Sequence, residues 1–193
     1  SGRAIIEEFI DGPEFSIDAL IVDGRMRVCG IADRDIRFPP HFIEVGHTMP
    51  TAYGEREQSE VSAALSAATR ALGIRNGAAK GDIFLTDQGA IVGEVAARLS
   101  GGYMSGGTYP YASGVPLTEA GMRIALGLDP GDLSPRRRWS SAERASVSIP
   151  GRVMQVSGFD DARALSGIEK VFERCAPGDV VVFPRNNTEK TAN

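Results

Sequence analysis

Two strand-like runs, Ala79–Thr86 and Ala90–Leu99, flank the turn-forming triplet Asp87-Gln88-Gly89. A short glycine-containing turn between two such runs folds them back antiparallel. This hairpin constrains the chain more than any other feature, because alternate side chains share a face. Lys80, Asp82 and Phe84 fall on one face, and Val92, Glu94, Ala96 and Arg98 fall on one face of the partner. A three-residue loop centred on Gln88 sets Asp82 opposite Glu94 and Lys80 opposite Ala96.

Two carboxylates opposed on one sheet face repel each other. A hard divalent cation that takes oxygen ligands, such as Mg²⁺, turns that repulsion into a binding site and keeps positions open for phosphate oxygens. Lys80 and Arg98 add the flanking positive charge expected where phosphoryl groups are handled. The plainer alternative is a solvent-facing hairpin of mixed charges, and the pattern alone leaves both open. A glycine-rich segment follows, Ser100-Gly101-Gly102-Tyr103-Met104-Ser105-Gly106-Gly107, and would let a ligand approach the backbone closely.

The rest of the chain supplies the setting. Strand-like runs span 4–10 and 14–22, Asp23-Gly24 signals a hairpin returning as 25–32, and a further strand is expected at 42–45. Val61, Leu65, Ala68 and Leu72 recur at helical spacing, which predicts a helix over 55–72 closed by Gly73. Another helix is expected from Thr118 to Gly127. Strands and helices without βα alternation point to the α+β class. Residues 1–128 are read as one domain, 129–149 as a polar linker carrying the basic run Arg136-Arg137-Arg138, and 150–193 as a small β-rich domain that is truncated.

Net charge is −4 and no basic stripe interleaves with aromatics, which argues against a nucleic-acid partner. No apolar run reaches membrane-spanning length, and no membrane partner is expected. Cys29 and Cys175 are too few and too far apart for a disulfide framework or thiolate metal site, so the expected compartment is the cytoplasm.

The segment Glu7-Glu8-Phe9-Ile10-Asp11-Gly12-Pro13-Glu14-Phe15-Ser16-Ile17-Asp18 resembles the adenine hinge of ATP-grasp enzymes. It is especially similar to that of D-alanine–D-alanine ligases and glycinamide ribonucleotide synthetases. The stretch from Gly77 to Asp82 and on through Gly93-Glu94-Val95-Ala96-Ala97-Arg98 to Gly102 looks like the family's metal-binding strand pair. The tail after Pro150 looks like the small C-terminal domain of L-amino acid ligase-like members.

The resemblance implies an antiparallel sheet with flanking helices, the C-terminal part of an ATP-grasp domain. It implies that the Glu7 carbonyl and the Ile10 amide bind the adenine edge and that Glu14 holds the ribose hydroxyls, a carboxylate being able to accept from two adjacent hydroxyls. Asp82 and Glu94 would ligate Mg²⁺ or Mn²⁺ on the ATP phosphates. Arg98 would bind the transferring phosphoryl group, and Lys80 would help stabilise the developing oxyanion.

Many members have Asn where this chain has Ala96, so whether one or two metals bind stays open. The family's N-terminal domain and phosphate-binding lid have no counterpart here, so this chain is expected to be a fragment, inactive by itself. His47 stands where it would help Glu44 contact an acceptor, although a hydrogen-bonded structural histidine is the commoner case. His41 carries no argument.

The implied function is an ATP-dependent carboxylate–amine ligase that activates a carboxylate as an acyl phosphate. Its partners would be small-molecule carboxylates and amines, and a homodimer is left open. The alternatives are a biotin-carboxylase-like enzyme forming carboxyphosphate and a non-catalytic nucleotide-binding or scaffold domain.

Overall fold

The computed structural model of the chain describes Gly2 and residues 4–193. Its elements in order are β1 (Glu14–Val22), β2 (Arg25–Arg37), β3 (Ile43–Met49), α1 (Glu55–Ala71), β4 (Gly77–Thr86), β5 (Gly89–Ala96), a π-helical turn (Met104–Thr108), α2 (Tyr109–Ser113), α3 (Leu117–Ala125), β6 (Ser141–Arg144), β7 (Gly151–Arg152), α4 (Phe159–Ala164) and β8 (Val180–Val181). They pack as two compact units, one from the chain up to Arg34 with Thr48–Ser141, the other from Asp35–His47 with Ala142–Asn193.

In the first unit the strand order is β5-β4-β1-β2, with antiparallel neighbours throughout, the α+β arrangement expected from the sequence. The Asp23-Gly24 hairpin forms as read: Val22 pairs with Arg25, and both turn residues take positive φ, 50° and 77°. β1 is flanked on both sides and buried along almost its whole length.

Phe15, Ile17, Ala19, Ile31 and Ile83 meet Val61 and Leu65 of α1 on one face of the sheet. A Cβ at Gly81 would fall 2.7 Å from Leu65 Cδ1, so a larger residue there would displace the Leu65 side chain. On the other face Leu20 and Ala32 pack beneath Met104, Tyr109, Val115, Leu117, Ala120 and Ile124. Because β1 alternates, Glu14, Ser16 and Asp18 share this second face with Leu20. One end of the face is therefore apolar and the other polar.

Several expectations shift. Residues 4–10 form no strand: Ile5 and Ile6 are 85% and 96% exposed, because no strand among the described residues pairs with this run. β2 runs on to Arg37 and β3 to Met49, beyond the sequence boundaries. β5 ends at Ala96, which leaves Arg98 past the strand. The glycine-rich segment forms a turn at Gly101–Tyr103 and then enters the π-helical turn that leads into α2.

Leu133 is buried in the first unit's core, and the amides of Arg136 and Arg137 donate to the Ser113 carbonyl. The Arg137 guanidinium lies 4.4 Å over the Trp139 ring. The basic run thus packs against the end of α2 and is not a free linker.

In the second unit β3 lies beside β6, with the Ala145 amide donating to Val45 O at 2.8 Å. Buried His47 has Nδ1 3.6 Å from carboxylate oxygens of both Glu44 and Glu143. In the tail, regular strand is confined to the short β7–β8 pair and to isolated bridges, less than the sequence suggests. Among the described residues no helix is long and apolar enough to cross a membrane.

Candidate active site

The polar end of the second sheet face is built by register. Ser16 pairs with Asp82 and Asp18 with Lys80 across β1 and β4, while Asp82 pairs with Glu94 and Lys80 with Ala96 across β4 and β5. The opposition of the two carboxylates is the one read from the sequence, but the route to it differs. Thr86 pairs with Gly89, so the loop holds two residues and not three. The missing residue is restored by a bulge: Asp82↔Glu94 is followed by Ile83↔Val92, which leaves Gly93 unpaired.

Val92 consequently shares the face of Ile83, not that of Glu94, which corrects the alternation expected along β5. A Cβ at Gly93 would stand 2.7 Å from the Phe84 ring, so a larger residue at the bulge would press on that ring.

The charges interlock across this row. The Ser16 hydroxyl donates to Asp82 Oδ1 at 2.8 Å. The Lys80 ammonium contacts Asp82 Oδ2 and reaches Glu94 Oε1 at 3.3 Å. Arg34, at the side toward β2, pairs with Glu14 and places Nη1 3.0 Å from Asp82 Oδ2. Arg98 puts Nη2 3.7 Å from Glu94 and donates from Nη1 to the Leu99 carbonyl at 3.0 Å. Lys80, Asp82, Arg34 and Glu14 are nearly enclosed, whereas the side chains of Glu94 and Arg98 are each 56% exposed. The row therefore has a buried floor, where charges persist only because each meets an opposite one, and an open rim.

A divalent ion suits this donor set. The Lys80 ammonium lies between Asp82 and Glu94, so two carboxylates already converge on one positive charge. Two carboxylates completed by phosphate and water oxygens is how Mg²⁺ is commonly held. Among the described residues no group of three or more His, Cys, Asp or Glu side chains converges on an ion, and Ala96 brings no oxygen to the row.

Behind the row sits Asp18, fully buried. Its Oδ1 accepts the Ser100 amide at 2.8 Å and its Oδ2 accepts the Ser105 hydroxyl. Burial pushes its carboxyl pKa upward, against the Ser105 and Ser100 bonds. Nearby Cys29 has its thiol pushed up to about 12, chiefly by burial, which removes it as a nucleophile at neutral pH.

The hinge residues lie elsewhere. Glu7 is exposed and Ile10 half-buried in chain outside any helix or strand, and neither belongs to the row. The ladder begins just after them, where Leu85 donates to Pro13 O at 2.9 Å. At Gly12, φ is 152° and a Cβ would fall 2.4 Å from Leu85 O.

Three participants escaped the sequence reading: Ser16, Asp18 and Arg34. The available signal for the first two was a pair of polar residues two apart inside the apolar run of β1, which places both on one face.

The sequence profile of the ATP-grasp domain matches residues 1–106. An uncharacterized protein, y4rH, of Sinorhizobium fredii is 27% identical over 94% of this chain and 37% of its own length. Carnosine synthase 1 of Gallus gallus is 26% identical over 65% of this chain and 13% of its own length. The chain thus spans well under half of the curated relatives it matches.

Among solved structures, an L-amino acid ligase from Bacillus licheniformis superposes with a TM-score of 0.85 at 23% identity, covering 95% of this chain and 48% of that one. A phosphoribosylglycinamide synthetase from Anaerococcus prevotii gives 0.77 at 16% identity, covering 96% and 48%. With the profile spanning more than half of the residues and the same fold recurring in both structures, the chain belongs to the ATP-grasp family.

Proposed function

We propose that the protein carrying this chain is an ATP-dependent carboxylate–amine ligase that activates a carboxylate as an acyl phosphate. The observation that carries the reading is the row Lys80–Asp82–Glu94–Arg98, in which a buried Lys80–Asp82 pair adjoins a half-exposed Glu94–Arg98 pair at the rim. Likeness to an L-amino acid ligase and to carnosine synthase supports an amino acid as the activated carboxylate.

In this reading Asp82 and Glu94 hold Mg²⁺ or Mn²⁺. The ion's contribution is to neutralise charge on the phosphate oxygens. Arg98 presents paired N–H donors to the phosphoryl group in flight, a geometry lysine does not reproduce. Lys80 would stabilise the oxyanion that develops as the amine displaces phosphate. Glu14 takes the ribose hydroxyls, and the Glu7 carbonyl and Ile10 amide take the adenine edge. Catalysis is then mostly positioning and electrostatics.

Hydroxylamine trapping tests the proposal directly. The full-length protein, given MgATP and single amino acids, should yield a hydroxamate together with ADP, and Asp82→Ala should abolish both. Release of ADP that requires bicarbonate, or AMP in place of ADP, would replace this reading.

A further inference from the structure

Asp18 is a carboxylate at the centre of the sheet with 0% exposure, and neither the nucleotide nor the metal role proposed above uses it. A buried acid is costly and is retained where its oxygens have partners. Here both partners come from one stretch of chain, the segment that leaves β5.

Ala96 is fixed by its pairing with Lys80. The Arg98 amide then turns back onto Ala96 O at 2.9 Å, and Leu99 packs against the core below. The Ser100 amide reaches Asp18 Oδ1 at 2.8 Å, and the Ser105 hydroxyl, also 3.1 Å from the Ser100 carbonyl, reaches Oδ2. One carboxylate therefore ties both ends of the Ser100–Ser105 arc to the central strand. Arg98 sits between two pinned points, Ala96 and Ser100, while its half-exposed guanidinium stays available at the rim.

We infer that Asp18 is a positioning residue: by fastening the Ser100–Ser105 arc to β1 it sets where Arg98 presents its guanidinium to the transferring phosphoryl group. The inference rests on the phosphoryl-binding role proposed for Arg98. A carboxylate suits the task because it accepts two charge-assisted bonds at once, from a backbone amide and from a hydroxyl, and so fixes two points of a glycine-rich segment.

The test needs no knowledge of the substrate. Calorimetry on the full-length protein with magnesium compares affinity for ADP with that for the non-hydrolysable triphosphate AMP-PNP. The ratio of the two reports what the terminal phosphate gains. Asp18→Ala should leave ADP affinity unchanged and cut the ratio about tenfold, a difference of about 1.4 kcal/mol. Asp18→Asn, which keeps an acceptor for the Ser100 amide, and Ser105→Ala, which removes a single hydroxyl, should each cut it less. These two milder variants decide the matter if the alanine variant does not fold.

In an Arg98→Ala background the ratio should already be low, and adding Asp18→Ala should lower it no further. A ratio lost in Arg98→Ala yet intact in all the Asp18 and Ser105 variants overturns the positioning role alone. Equal weakening of ADP and AMP-PNP overturns it too, by showing a merely structural residue. A ratio that survives in Arg98→Ala, or is absent from the wild type, overturns the reading of Arg98 and this inference with it. Hydrogen exchange at residues 98–105 then reports separately whether Asp18 holds the arc.

Discussion

Replacing Lys80 by methionine keeps the length and apolar stem of the side chain and deletes its charge. The ammonium it removes contacts Asp82 and lies 3.3 Å from Glu94. Glu94 is half exposed and regains water at little cost. Asp82 is enclosed, but it keeps the Ser16 hydroxyl at 2.8 Å and Arg34 at 3.0 Å. The loss is therefore that of one hydrogen bond to a charged group, about 1.5–3 kcal/mol. It does not reach the roughly 3–5 kcal/mol of a buried charge left without any partner. A loss of about 2 kcal/mol lowers the melting midpoint of a domain of 150–250 residues by about 4–8 °C.

Divalent ions should reverse the effect. Without the ammonium the two carboxylates have one competitor fewer, so Mg²⁺ binds the variant more tightly. At about 100 times its dissociation constant, an ion stabilises by about 2.7 kcal/mol. Thermal unfolding with EDTA, and then with MgCl₂, checks both halves. Lys80→Met should melt early in EDTA and recover more than the wild type on adding Mg²⁺. A variant that melts with the wild type in EDTA would show that the ammonium contributes nothing to the folded row. An equal gain from Mg²⁺ in both proteins would show that Lys80 and the ion do not share Asp82 and Glu94.

Gly93→Ala should destabilise by about 1–3 kcal/mol through overpacking against the Phe84 ring, and Phe84→Leu in the same protein should recover part of that loss in chemical denaturation. Wild-type stability of the single variant would mean that the ring swings aside freely. Cys29 should resist iodoacetamide at pH 8 in the folded protein and react once unfolded, because burial holds its thiol at about 12 against an ordinary 9.0. The sign follows from the raised value: the contribution to stability is complete below pH 9.0 and declines as the pH climbs toward 12. Rapid alkylation of the native protein, read by mass spectrometry, would refute it.

The acidic pair was legible because it depends on strand alternation and a nearby turn, both local signals. The opposition of Asp82 and Glu94 holds although the turn is one residue shorter than the sequence suggests, because the unpaired Gly93 makes up the difference. A bulge has no strong sequence mark: an isolated glycine in a strand is compatible with several explanations.

Asp18 and Arg34 were not legible, since their partners lie far away in sequence, at Ser100, Ser105 and Asp82. An acid on a strand reads as a solvent-facing residue until the segment that covers it is known. The run Ala4–Ile10 misled in the opposite way. Its composition is strand-like, but a strand exists only where another backbone completes its hydrogen bonds. Arg98 fell outside β5 because the chain turns back at Ala96 to cross toward Asp18, a tertiary event.

The bulge lets the hairpin keep its acidic pair at more than one length. Four cross-strand pairs, a tight two-residue connection and one looped-out glycine separate Asp82 from Glu94. Removing Gly93 takes out only the unpaired residue, so Ile83↔Val92 would be followed directly by Asp82↔Glu94 and both carboxylates would stay on one face. A three-residue connection with no bulge spans the same stretch and also sets Asp82 opposite Glu94. Two related chains aligned without gaps across this hairpin therefore need not share the same turn.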